Sequence, residues 1–180
     1  MPSNTASEKE IIRAVIAGDQ EAYQGIVRRY MQTAYYVALG ILHNHDDALD
    51  VSQEAFVRAF RKLRSFDPER PFFPWFYRLM KNLCLDHIRK RKRRNEVPLE
   101  EGLFFREDRQ DREMKAVLWK GMEELPFEQK EVIILRYFRQ CSYQEIAEII
   151  GKPIGTVMSC LFYAKKRLKG ILSKYLREET

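Results

Sequence analysis

Residues 143–168 read YQEIAEIIGKPIGTVMSCLFYAKKRL, two helical patterns separated by a break at Gly151–Gly155. Ser142 and Glu145 stand three apart at the start of the first pattern. That is the spacing of a capping box, in which the hydroxyl and the carboxylate each satisfy one free backbone N–H. Ile146, Ala147, Ile149 and Ile150 supply a short apolar face, and the small Ala147 permits close approach of a neighbouring helix. Gly151 suits the left-handed residue that ends a helix, and Pro153 is tolerated where the next one begins. Val157, Leu161, Ala164 and Leu168 then recur at i, i+4, i+7 and i+11, one buried face.

A short support helix, a glycine corner and a longer second helix form the outline of a helix-turn-helix. A plain helical hairpin is the bland alternative. The positions of Ala147, Gly151 and the apolar residues favour the former. From 165 to 177 the chain carries Lys165, Lys166, Arg167, Lys169, Lys174 and Arg177 and no acid, a set suited to phosphate contacts. The middle of the second helix is unusual for a base reader. Met158-Ser159-Cys160-Leu161-Phe162-Tyr163 is poor in the polar side chains that normally read base edges.

The bulk composition agrees with a nucleic-acid partner without requiring one. The chain has 180 residues, 32% charged and 45% hydrophobic, with a net charge of +6. This is a folded rather than a disordered composition. Cys84, Cys141 and Cys160 are scattered, which argues against a disulfide framework or a zinc site. No stretch approaches the ~20 apolar residues of a membrane span, and Met1–Glu10 has no apolar leader core. A cytoplasmic protein without direct membrane insertion is expected.

Helical spacing recurs along the whole chain and strand-like alternation is nearly absent. Ile11–Ile16 closes at Gly18-Asp19, and a second pattern runs from Ala22 through Ile41 to His43-Asn44. A third, with Leu49, Ala55, Phe56, Ala59, Phe60 and Leu63, ends at Ser65–Pro68. Trp75, Leu79, Leu83 and Ile88 mark a fourth. Residues 96–113 then hold three arginines against seven carboxylates and are interrupted by Pro98 and Gly102, which reads as a flexible acidic linker. Four more helical patterns follow: Ala116–Leu125, Glu128–Phe138, Tyr143–Ile150 and Thr156–Tyr175. The expected fold is all-α, with two small helical domains over 1–94 and 115–180 joined by a linker over 95–114. Domains of this size have small cores and are marginal alone.

Residues 78–94, RLMKNLCLDHIRKRKRR, carry eight bases and one acid. Just before them, SFDPERPFFPWFYR (65–78) is crowded with aromatics. Flat faces beside a basic helix suit unstacked bases and their backbone. Phe76 and Tyr77, inside a helix, read as core. For the loop Phe66–Phe73, between Pro68, Pro71 and Pro74, core packing and ligand contact both stay open. Two separate DNA-directed units suggest a factor that grips a duplex at one point and opens it at another. A third feature is acidic: Asp46, Asp47, Asp50 and Glu54 occupy about two helical turns with no base among 46–54. Helix capping, a protein-docking face and a metal site are the readings. The last lacks convergent histidines, so no metal or cofactor is expected.

With these motifs in order, the chain resembles a bacterial RNA polymerase sigma factor of the extracytoplasmic-function type. DDALDVSQEAFVRAFRKLRSFDPERPFFPWFYRLMKNLCLDHIRKRKRR (46–94) resembles the family's domain 2. LPFEQKEVIILRYFRQCSYQEIAEIIGKPIGTVMSCLFYAKKRL (125–168) resembles its domain 4. The resemblance implies a transcription initiation factor with no catalytic residues of its own. Its partners would be core polymerase (the beta-prime clamp helices and the beta flap), promoter DNA and, as for many family members, an anti-sigma factor. It implies that Asp47, Asp50, Gln53, Glu54 and Arg58 dock on the clamp helices. Phe66, Asp67, Arg70 and Phe72 would belong to the loop that captures a flipped minus-10 base, and Trp75, Arg78 and Asn82 to the helix that separates the strands. Thr156, Met158, Ser159, Phe162, Tyr163, Lys165, Lys166 and Arg167 would contact the minus-35 element.

The departure from the family pattern lies in this last helix. Basic residues are frequent in the family where Met158, Cys160 and Phe162 stand here. Thymine-methyl contacts by Met158 or Phe162, with hydrogen bonds from Ser159, could take their place, and Cys160 could alternatively be a thiol sensor. The rival functions are an autonomous helix-turn-helix regulator and a metal-dependent nuclease built on the acidic helix.

Overall fold

Local signals set the helix boundaries. In the computed structural model, residues 7–94 and 117–178 are described, and among them every regular element is helical. α1 spans Glu8–Ile16 and starts in a capping box between Ser7 and Glu10. α2 spans Tyr23–Leu42 and stops where His43 turns left-handed at φ 55°. Asn44 then caps α3, His45–Lys62, by accepting the Asp47 N–H at 2.8 Å. A single 3₁₀ turn, Leu63–Ser65, ends it.

α4 runs from Phe72 to Arg94. It begins three residues earlier than the Trp75 stripe suggests, because Pro74 falls in its first turn, where no N–H is needed. α5 covers 117–123, and α6, Phe127–Ile133, continues into a π turn at Ile134–Phe138. α7 is Tyr143–Ile150 and α8 is Ile154–Glu178. The acidic linker expected over 95–114 lies outside the described residues.

The first four helices form one bundle. Ile12, Ile26, Leu39, Leu63, Phe72, Phe76 and Met80 are fully buried within it. Each such side chain contributes about 1.5–3 kcal/mol relative to exposure. Tyr30 sits at the centre, with ring centroids 5.6 Å from both Phe72 and Phe73. Its hydroxyl donates to Glu8, which also accepts the Phe72 N–H at 3.1 Å. The start of α4 is thereby tied to α1.

The second bundle packs α8 against α6 and α7 through Val157, Leu161 and Ala164, all buried. The two bundles also pack on each other: α2 meets α6 and the π turn, and α4 meets α7. Trp119, Tyr36 and Phe138 form an aromatic cluster, with Trp119 stacked at 6.3 Å from Tyr36 and 5.4 Å from Phe138 and those two rings 4.9 Å apart. At Gly40 the helices approach so closely that a β-carbon would run into Ile134 and brush Trp119. Two cores that are small separately therefore share a seam.

Candidate nucleic-acid interface

The helix-turn-helix is built as its residues dictate. The Ser142 hydroxyl accepts the Glu145 N–H at 3.2 Å, and the Glu145 carboxylate accepts the Ser142 N–H at 2.7 Å. These bonds hold the Glu145 carboxyl below the usual carboxylate range. Gly151 adopts φ 68°, ψ 39°, the left-handed cap. The axis turns through 104° between α7 and α8, within the range of DNA-binding helix pairs. α8 begins at Ile154, two residues before Thr156, with Pro153 accepting the Thr156 N–H at 2.9 Å. Gly155 therefore lies in its first turn.

All eight residues expected to face the minus-35 duplex are exposed: Thr156, Met158, Ser159, Phe162, Tyr163, Lys165, Lys166 and Arg167. Ile154 is exposed beside them. It was missed because it stood inside the expected corner rather than the helix. Cys160 is half-buried, and its thiol donates to the Glu128 carbonyl at 3.5 Å. Burial, with Glu128 and Glu131 nearby, pushes this thiol's pKa up, the reverse of what a reactive thiolate needs.

Around α4 the aromatics turn inward. Phe66 and Phe72, open in sequence between core and ligand, are core residues, as are Phe73, Phe76 and Tyr77. Phe66 packs edge-on to Phe72 at 5.9 Å and against Trp75 at 4.9 Å. These core aromatics fill the interior of the first bundle together with Ile12, Ile26, Leu39, Leu63 and Met80. What the loop offers outward is polar. Asp67 accepts the Glu69 N–H at 3.0 Å, and Arg70 Nε lies 3.5 Å from its carboxylate. Glu69 is held by Lys9 at 2.8 Å and Arg13 at 2.5 Å, hydrogen bonds that lower its pKa. Trp75 is half-buried, and Arg78 and Asn82 are exposed on the following turns. Arg89, Lys90, Lys92 and Arg93 continue the exposed basic helix.

On α3, Asp50, Gln53, Glu54 and Arg58 share one exposed face, and Arg58 donates to Glu54 at 2.5 Å. Asp47 does not join them. It is half-buried and bound to Arg91 at 2.6 Å, with His87 Nε2 at 3.1 Å. Leu49 and Val57 are exposed among the polar four. Leu49 had the look of a core residue, but the buried stripe is Ala48, Val51, Ala55 and Ala59, and positions 49 and 57 fall off it. Among the described residues, no group of His, Cys, Asp and Glu is placed to hold a metal. No single described helix is long and apolar enough to cross a membrane.

Glu131 is the buried charge of the seam between bundles, 5% exposed. Tyr77 Oη donates to it at 2.8 Å and Lys81 Nζ at 2.6 Å. Burial and this carboxylate push the Tyr77 hydroxyl's pKa well up, so it stays a donor. Arg139 covers the Phe73 ring at 4.8 Å and the Tyr30 ring at 5.4 Å. Arg78 reaches the Glu148 carbonyl at 3.4 Å.

Residues 26–94 match sigma-70 region 2, and residues 115–168 match sigma-70 region 4. The chain belongs to the sigma-70 family, among its extracytoplasmic-function sigma factors. It is 31% identical to the extracytoplasmic-function sigma factor SigW of Bacillus subtilis, over 89% of this chain and 94% of that one. It is 29% identical to the RNA polymerase sigma-H factor of Pseudomonas aeruginosa, over 95% and 96%. The solved sigma factor RpoE of Bartonella quintana, in complex with the anti-sigma factor NepR, is 25% identical. It superposes with a TM-score of 0.71 over 85% of this chain and 98% of that one. This sigma factor is thus a promoter-recognising initiation factor of RNA polymerase and not an enzyme. Nucleotidyl transfer belongs to the polymerase, and the sigma factor's binding energy goes into recognition.

Proposed function

We propose that the exposed α3 face of Asp50, Gln53, Glu54 and Arg58, with Leu49 and Val57, docks on the polymerase clamp helices. Asp47 supports that face from behind through Arg91. The observation that carries this reading is the combination of polar and apolar side chains on the one side of α3 that faces neither α2 nor α4. Desolvated apolar centres with a charged surround are what protein interfaces use.

Asp67, Arg70, Trp75, Arg78 and Asn82 handle the melting minus-10 strands, with Phe66 and Phe72 as the floor beneath them. Thr156–Arg167 reads the minus-35 duplex, and Lys165, Lys166 and Arg167 hold its phosphates. The functional units are 1–94 and 115–180. Action on polymerase requires the two bundles to separate. Arg78 and Tyr77 face α7 and α6 here, and the same side of α4 cannot hold both those helices and DNA strands. A protein antagonist that prefers the packed form is the corresponding way to silence the factor; the RpoE relative is found in complex with an anti-sigma factor. The factor acts beside the polymerase, in the cytoplasm.

Reversing the charge at Asp50 and Glu54 together tests the docking assignment. Affinity for core polymerase should fall about tenfold, with thermal unfolding unchanged. Undiminished affinity would remove the assignment.

A further inference from the structure

Ile154, Met158 and Phe162 follow one another at every fourth position of α8, along an exposed side that adjoins the buried stripe of Val157, Leu161 and Ala164. Their exposures are 44%, 51% and 60%. At 1.5 Å per residue this ridge is about 12 Å long, the width of the DNA major groove. Tyr163, 58% exposed, stands edge-on to Phe162 at 5.4 Å and braces its ring.

The polar groups beside the ridge are mostly spoken for. The Ser159 hydroxyl donates to the Gly155 carbonyl at 2.5 Å, which leaves it only acceptor capacity. The Cys160 thiol is turned to Glu128. From Pro153 to Ala164 there is no lysine or arginine, so no side chain there can fork onto a guanine.

Charge indicates what covers the ridge. Lys152 precedes it and Lys165, Lys166, Arg167 and Lys169 follow, all exposed. No acid occurs from 149 to 177. An apolar strip bracketed at both ends by one sign of charge fits a groove floor flanked by phosphates.

We propose that the ridge Ile154–Met158–Phe162 reads thymine 5-methyl groups in the major groove, so that A·T pairs, recognised by apolar contact, specify the upstream element of this factor. The inference rests on α8 being the duplex reader and names what it reads.

The test uses the factor bound to core polymerase. Duplexes are first selected from a pool randomised over the upstream element. The winning duplex is then remade with uracil in place of thymine, one position at a time, which removes a single methyl group. Affinity should fall about fourfold at two or more positions. In Phe162→Ala or Met158→Ala, whose exposed sites leave the fold intact, the uracil effect at one position should vanish. Uracil substitution without effect on a duplex that is still bound specifically overturns the inference and leaves the duplex-reader reading standing. Failure to select any sequence overturns that reading itself. A loss of core affinity in Phe162→Ala without DNA, with uracil sensitivity unchanged, would assign the ridge to the polymerase and overturn the inference.

Discussion

Around α4, Phe66, Phe72, Phe73, Phe76 and Tyr77 fold inward, whereas along the first turns of α8, Met158, Phe162 and Tyr163 face solvent. From sequence, Phe76 and Tyr77 read as core, the loop Phe66–Phe73 stays open between core and ligand contact, and polar side chains are the usual readers of a duplex. The difference follows from how each bundle fills its core. The first bundle relies on the aromatics that follow Ser65 to close its interior. The second closes with Val157, Leu161 and Ala164 on one side of α8, leaving its other side free for apolar residues with no structural duty. An aromatic residue near a functional segment is thus a ligand contact only if the core can do without it.

The sharpest way to break this contrast is to truncate one ring in each unit. Phe72→Ala should cost about 3–5 kcal/mol, read as a large drop in unfolding midpoint. Phe162→Ala should change stability by no more than about 0.5 kcal/mol. Equal costs would erase the distinction between the units.

A second, somewhat smaller effect lies in the seam between them. His43 Nε2 is 2.7 Å from Lys130 Nζ, and its Nδ1 is 4.0 Å from Glu123. Burial, reinforced by the Lys130 ammonium, lowers the His43 pKa to about 4, against about 6.5 for an unperturbed imidazole. Between those values the unfolded chain binds a proton that the folded chain refuses. Stability should therefore fall as pH drops from about 6.5 to about 4 and level off below. The loss approaches about 3 kcal/mol. Comparing denaturation of the wild type with His43→Gln isolates it from the carboxylates, and a variant with the same acid-side slope would contradict the assignment.

The smallest expected effect concerns the start of the helix-turn-helix. Ser142→Ala removes one half of the α7 capping box and should cost about 1 kcal/mol. The same change at Ser65, whose hydroxyl donates to the Lys62 carbonyl three residues back, should cost less. Chemical denaturation resolves the two.

What was legible in the sequence was whatever depends on near neighbours. Ser142 with Glu145, Gly151, and the i, i+4, i+7 spacing of Val157, Leu161 and Ala164 define the helix-turn-helix, because caps and faces are local. The exposed α3 residues Asp50, Gln53, Glu54 and Arg58 are picked out by the family resemblance, and Asp47, picked with them, turns to Arg91, 44 residues on. The seam gave no signal. Glu131 in EVIIL has no local mark that separates a buried carboxylate from a solvated one, since Tyr77 and Lys81 reach it from the other bundle. Gly40 resembles any helical glycine until Ile134 is placed against it. The inward turn of Phe66 and Phe72 was hidden likewise, since their packing partners include Tyr30 and Trp75 on two different helices.

The most direct measurement combines purified factor, core polymerase and promoter duplex, with run-off transcription and permanganate probing of thymines on the same template. Specific transcript and reactive thymines at the minus-10 element are predicted only when factor and core are both present. Promoter binding that is equally tight without core, and never followed by an open bubble, would contradict the account.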